Sequence, residues 1–382
     1  AVALTFFVTA SRVAIGAPAT APTAVGATQA VGADDELVPL CPIMAARMGV
    51  AWPPKPTQRQ PLDDGLKPMA PPPPPFVPPD PPTNPMGVAR GIFPGRVVWD
   101  YDPSACLWNG VYSNKNVWSP TNYWWEPQNT DQAKVDAMVS RCLQWLTGAT
   151  NDSAAWHALF VYFNVSHGLG SNGYVSGEGI SIKPNLVNCW NWSGGNNYLT
   201  YPVMHHRVLT SRQVLLSLLR QLVNKAGVPQ TDITVYANLT LANFVYQYLS
   251  NEFPRIRRAD AVGGNGTELN TNDYRYPIYP SNGMPTDYPP QTLTRSKYLI
   301  NAANLKTHEA ATGGNNPDGG TNAEFPTLCA KNHFGSLVDG AGQYHNFIEA
   351  TNAYAIYHIL PDLMEHKDIG GKTLLYLLDG LY

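Results

Sequence analysis

The chain has 382 residues, 44% of them hydrophobic and only 14% charged, with a net charge of −3 and Lys and Arg scattered rather than striped. Charge this sparse, against about 25% in an average domain, with no basic patch and no basic amphipathic helix, argues against nucleic acid or a membrane surface as partner. Asn outnumbers Asp and Glu together, and 10 Trp and 20 Tyr add to a neutral, hydrogen-bonding surface of the kind exported proteins carry.

In chain order, the first segment is the apolar run AVALTFFVTA, Ala1 to Ala10, which is too short to span a bilayer. It reads as the start of a chain already cleaved upstream rather than as a signal segment. Val2, Leu4, Phe6 and Val8 recur at period two, as in a strand added to a sheet. Residues 1–90 hold more than half of the 35 prolines in Ala/Thr/Pro/Gly-rich surroundings and are not expected to fold alone. The tract PPPPPFVPPDPP, Pro71 to Pro82, predicts polyproline II at about 3.1 Å per residue, a semi-rigid strut of roughly 35 to 40 Å. Ordering such an arm costs about 1 to 2 kcal/mol of backbone entropy per residue. Its own body or a neighbouring copy must therefore hold it. The expected contacts are Val2, Leu4, Phe6, Val8, Pro71, Pro75 and Phe76.

From residue 91 the pattern is globular. Asn129 and Gln132 suggest a capping box, followed by Val135, Met138, Val139, Cys142 and Leu146 at helical spacing and a stop at Gly148. Ser211 opens a second helix through Val214, Leu215, Leu218, Leu219 and Leu222, closed by Gly227 and Pro229. DITVYA, Asp232 to Ala237, reads as a buried strand, and Leu241, Phe244, Val245 and Tyr248 mark a further helix. This alternation predicts an α/β fold: a mainly parallel sheet flanked by helices, in a body over 91–382, with a long irregular Pro-rich arm over 1–90.

Cys41, Cys106, Cys142, Cys189 and Cys329 are widely spaced, with no CxxC and no paired Cys/His spacing. Zinc ribbons, cysteine-ligated iron–sulfur clusters and c-type haem are unsupported, and no cofactor is expected. An exported chain could form one or two disulfides, of open pairing. Adjacent His205 and His206 would point to opposite faces of a strand, so no metal site is read there. The acceptor triplets at Asn151, Asn164, Asn191, Asn238 and Asn265 would be silent in a bacterium. The aromatic block around Trp99, Trp108, Trp118, Trp124 and Trp125 suggests packing or an interface rather than sugar stacking.

Five stretches together resemble a bacterial family catalogued as domain of unknown function 362. They are NPMGVARGIFPGRVVWDYDP (84–103), SIKPNLVN (181–188), LINAANLKTHE (299–309), TLCAKNHFGSLVD (327–339) and LPDLMEHKDIGGKTLLYLLDGLY (360–382). The resemblance implies an α/β fold and, for many members, twin-arginine export. It implies no established reaction. The arm lies outside the family pattern, and AATGGNNPDGGTNAEFP (310–326) looks like an inserted surface loop. Relatives are expected to continue beyond the strand that ends at Asp379, so a C-terminal fragment or a partner chain would complete the fold. Asn238 stands where relatives are expected to carry an acidic residue, which weakens a carboxylate-dependent mechanism.

Three clusters could carry chemistry. Lys183 and Asn185 follow a strand start, Asn304, Lys306 and His308 end another, and Lys331, Asn332 and His333 open a helix or turn. Ligands of parallel sheets bind outside the carboxyl ends of strands, so the clusters could share one crevice. Lys183, Lys306 and Lys331 would suit an anion, and His308 beside Glu309 could act as acid or base. Asn185, Asn304, Asn332 and His333 would complete the ligand contacts, or the same residues simply satisfy strand ends and core.

The sequence leads to two expectations. The first is an exported structural subunit, extracellular or at the cell surface, assembling into a filament or lattice through its arm as a homo-oligomer or polymer. The second is an enzyme or ligand-binding protein, periplasmic or extracellular, acting on an anionic substrate or bound metal through the Lys/His crevice. No recognised catalytic motif supports enzyme activity.

Overall fold

A computed structural model of the chain describes residues 3–7, 91–108, 124–186, 209–237, 243–264, 266–280, 286–308, 325–337 and 359–381. The calls on Val2, Val8, Pro71, Pro75, Phe76, Cys41, Cys189, His205, His206 and Asn238 lie outside the described residues, as does most of the 310–326 loop.

Helix α1, Gln132–Thr147, buries Val135, Met138, Val139, Cys142 and Leu146 on one stripe. Its cap is Asp131, which accepts from the Lys134 amide at 3.2 Å, and not Asn129. Asn129 is buried in the preceding turn, where its carbonyl accepts from Leu107, so it is committed before the helix starts. Gly148 closes α1 at φ +70, the left-handed conformation that a glycine adopts without strain. Helix α2, Asp152–Ser166, is capped by Asn151. Its sequence is nearly apolar all round, so it carries no periodic stripe to reveal it. Helix α3, Arg212–Arg220, starts at Ser211 as expected and runs into a wider turn, Gln221–Lys225, before Gly227. Helix α4 spans Asn243–Ser250, α5 Gln291–Arg295, α6 Cys329–Asn332 and α7 Ile359–Glu365.

The strands are β1 (Ala3–Phe7), β2 (Val97–Asp100), β3 (Ile180–Pro184), β4 (Ile233–Tyr236), β5 (Arg257–Asp260), β6 (Glu268–Leu269), β7 (Tyr298–Asn304), β8 (Lys306–His308), β9 (Phe325–Thr327) and β10 (Thr373–Gly380). Eight form one sheet in the order β2-β1-β10-β7-β3-β4-β5-β6, and β8 and β9 pair separately. The six strands from β10 to β6 are all parallel. The mainly parallel, helix-flanked sheet is therefore present. β3, β7 and β10 are buried along their whole length on both faces, as cover by helices on either side requires.

One face carries Ile180, Ile182, Ile233, Val235, Ile300, Leu375 and Leu377 against α1, α2 and α3. The other carries Tyr236, Ala259 and Leu299 against Leu293 of α5, Phe334, Leu337 and α7. The chain steps outward from β3 through β4, β5 and β6, then returns to place β7 on the other side of β3. That reversal puts the sheet's topological switch point at the carboxyl ends of β3 and β7, the usual ligand position in such sheets.

β1, from the arm, does not stand apart from the body. It lies inside the same sheet, antiparallel to β10 with Thr5 opposite Leu378, and antiparallel to β2 with Thr5 opposite Trp99. The strand expected from Leu4 and Phe6 thus exists, and within this single chain it occupies the chain's own sheet. A boundary at residue 90 consequently cuts through the sheet's hydrogen bonding.

Candidate functional site

The crevice between β3 and β7 gathers polar side chains on both faces. Alternation along β3 sends Ile180 and Ile182 to one core and turns Ser181 and Lys183 to the other face, Ser181 toward Thr292 and Ser296 at α5 and Lys183 toward Asn332 of α6. Lys183 is 2% exposed. Its Nζ donates to the Pro184 carbonyl at 2.7 Å and to Asn332 Oδ1 at 3.4 Å. The Asn332 amide donates in turn to the Lys183 carbonyl at 2.9 Å and to Asn301 Oδ1 at 2.8 Å. Asn301, on β7, donates to the Cys329 carbonyl at 2.7 Å and meets His333 Nε2 at 2.9 Å.

These partners fix the imidazole. An amide nitrogen can only donate, so His333 Nε2 accepts and the ring proton sits on Nδ1, directed at Ser336 Oγ at 3.2 Å. Ser336 then meets the Tyr236 hydroxyl at 3.0 Å. A line of hydrogen bonds runs from Lys183 through Asn332, Asn301, His333 and Ser336 to Tyr236, every member buried.

Electrostatics follow from burial. With no carboxylate acting on it, the Lys183 amine is pushed down to about 7 by desolvation. His333 is lowered to about 3, first by burial and then by the neighbouring Lys183. Near neutrality His333 is therefore neutral, while Lys183 is divided between ammonium and amine. Gly335 approaches the amine closely: a Cβ there would lie 3.0 Å from Lys183 Nζ.

On the opposite face, at the same strand ends, Thr210 Oγ accepts from the Asn185 amide at 2.8 Å and donates to the Ala302 carbonyl at 2.7 Å. Asp379, at the end of β10, accepts from the amides of Ser211 at 2.6 Å and Leu381 at 2.8 Å. Burial raises its carboxyl, while those hydrogen bonds work the other way. This carboxylate ties the last strand to the start of α3. The Asn304 amide donates to the carbonyls of Leu209 at 3.1 Å and Asp379 at 3.2 Å, which leaves its Oδ1 buried without a donor.

Of the residues singled out by sequence, Lys183, Asn332 and His333 come together. Asn185 and Asn304 border the same crevice from the other face. Lys331 turns toward the Phe334 ring, 5.3 Å from its centroid, and Lys306 sits half-buried in the β8–β9 ribbon opposite Thr327. Neither is among the charges that act on Lys183. His308 lies opposite Phe325 on the same ribbon. Asn301, Ser336 and Tyr236 are members that sequence reasoning passed over. An Asn in the middle of the apolar strand LINAAN, where a polar side chain must find a buried partner, was the available signal.

Among the described residues, no group of three His, Cys, Asp or Glu side chains gathers to hold a metal, and no helix is long and apolar enough to cross a membrane. Cys106, Cys142 and Cys329 carry no disulfide, and burial pushes the thiols of Cys142 and Cys329 up to about 12. Comparison with family models, curated proteins and solved structures finds no match to this chain. The resemblance to family 362 therefore rests on the sequence words alone, and no residue role is taken from it.

Proposed function

We propose that the protein is an exported structural subunit that assembles, outside the cell or on its surface, by lending β1 to a neighbouring copy; the periplasm is the second location. The body would be an α/β relative of family 362 recruited as a building block. One observation carries this reading: a short strand at the far end of a long arm fills a slot between β2 and β10. The slot is lined by main-chain donors and acceptors of Val97–Asp100 and Tyr376–Gly380, which pair equally well with β1 of any copy. Residues 8–90 join β1 to the body, a length of chain sufficient to reach the slot of a neighbouring copy. Exchange of identical elements between copies is a low-cost route to assembly, and a head-to-tail exchange that does not close makes a filament. Light scattering with electron microscopy tests this. The full chain should form particles much heavier than one chain, and a version lacking residues 1–83 should not. A full chain that stays monomeric across the working concentration range contradicts the reading.

A second reading, an enzyme or ligand-binding protein acting at the crevice, is favoured by the position of the Lys183–His333 cluster at the topological switch of the sheet. Its residues would be Lys183, Asn301, Asn332 and His333, in place of three converging lysines.

A further inference from the structure

The two edges of the main sheet are built differently. β6 is two residues long and its Glu268 is held by Arg257 at 2.7 Å, the short, charged form in which an edge resists pairing. β2 is longer, and its one inward carboxylate, Asp100, is already neutralised by Arg141 at 2.7 Å. From Arg96 to Asp102 the edge reads RVVWDYD, without Lys, Pro or Gly, and among the described residues no strand pairs with its outer side. Asp102 is still extended before Pro103 starts a helical turn, whereas Gly95, at φ +78, breaks the extended run at the other end. Alternation sends Val98 toward the α1 core and Val97, Trp99 and Tyr101 to the opposite face, where they are 49%, 62% and 49% exposed.

A two-fold axis normal to the sheet sets a second β2 antiparallel to the first and keeps these three side chains on one face in both copies. An axis nearer Gly95 pairs an aromatic with that unextended residue, and one nearer Pro103 sets Asp100 against a carboxylate. With the axis at Trp99, each Trp99 faces its copy, Val97 faces Tyr101, and Arg96 faces Asp102 twice by symmetry. Both charges have capacity left. Arg96 lies over the Phe93 ring and uses one N–H on the Trp145 carbonyl at 2.9 Å, and Asp102 uses Oδ1 on the Ser104 amide at 3.0 Å. We propose that the outer edge of β2 is a two-fold pairing site for a second copy of this chain, joining two eight-stranded sheets into one across Trp99. Main-chain hydrogen bonds supply the attraction, the aromatic pair adds cross-strand packing, and the Arg96–Asp102 pairs fix the register. The contact is closed, so alone it makes dimers. It goes beyond arm exchange and holds whichever copy supplies β1.

The test uses the full chain carrying Trp99→Cys, oxidised mildly beside wild type and Leu107→Cys, a comparably exposed position off the strand. A covalent dimer should form at least tenfold faster in Trp99→Cys than in Leu107→Cys. Arm exchange brings Thr5 to Trp99, not a second Trp99, so this dimer reads the proposed contact alone, and a ladder beyond two chains needs another contact. Val97→Cys with Tyr101→Cys keeps Trp99 and should also crosslink between copies, because residues four apart on one strand are about 13 Å apart and cannot join each other. In the Trp99→Cys background, Arg96→Glu should slow the crosslink at least fivefold, and adding Asp102→Arg should restore it, with circular dichroism confirming the fold of each variant. No crosslink between copies in either cysteine variant, equal rates in Trp99→Cys and Leu107→Cys, or no recovery in a charge swap that keeps its fold overturns the proposal.

Discussion

Lys183 sets an acid–base signature that the whole chain should report. Its folded value of about 7 lies below the ordinary 10.5, so between those limits the unfolded chain binds more protons than the folded one. Stability must then rise with pH across that window, and below it the burial penalty is fully felt. Lys183→Met, similar in volume and without a charge to desolvate, should raise the urea midpoint at pH 7 and flatten the climb toward pH 10.5. An unchanged slope in the variant would mean that Lys183 is not the group responsible. Three members of this cluster were legible in the sequence because they stand in short polar words at a strand end and a helix start. Asn301, Ser336 and Tyr236 were not, because their roles depend on β7 and β4 flanking β3. Chain order does not announce that adjacency: the strand before β7 is β6, at the opposite edge of the sheet.

At the scale of elements, local chemistry was readable wherever a stripe and a cap coincide. Ser211 shows it, since its Oγ accepts from the Val214 amide while its own N–H is held by Asp379. Ser211→Ala should cost about 1 kcal/mol of stability, in the range of N-cap losses, read from denaturant unfolding; no loss would mean that Asp379 alone holds the helix start. The α2 helix escaped notice because apolar residues all round erase the period that marks a surface helix. The parallel core followed from alternating strands and helices, whereas the placement of β1 did not. Period two in Leu4 and Phe6 predicts a strand but names no partner, and both of its partners lie far along the chain. Burial gives β10 its need for a neighbour: every residue from Thr373 to Gly380 is buried, and without β1 its main chain would become an open edge.

The whole molecule is thus a doubly wound body whose outer strands are completed by a segment from the far end of the arm. That completion is indifferent to which copy supplies the strand, and this is the basis of the assembly reading. β2 is the edge that flanks β1 on the outside, and Trp99 upon it is 62% exposed, within reach of a crosslink from the strand beside it. Thr5 and Trp99 are register partners, so a cysteine at each position tests directly whose β1 fills the slot. The decisive measurement is mild oxidation of the full chain carrying Thr5→Cys and Trp99→Cys, followed by non-reducing electrophoresis. Exchange between copies predicts a ladder of covalent multimers that collapses on reduction. A crosslink confined to single chains would contradict it, leaving β1 a part of its own body and the Lys183 crevice the feature that remains to explain the protein.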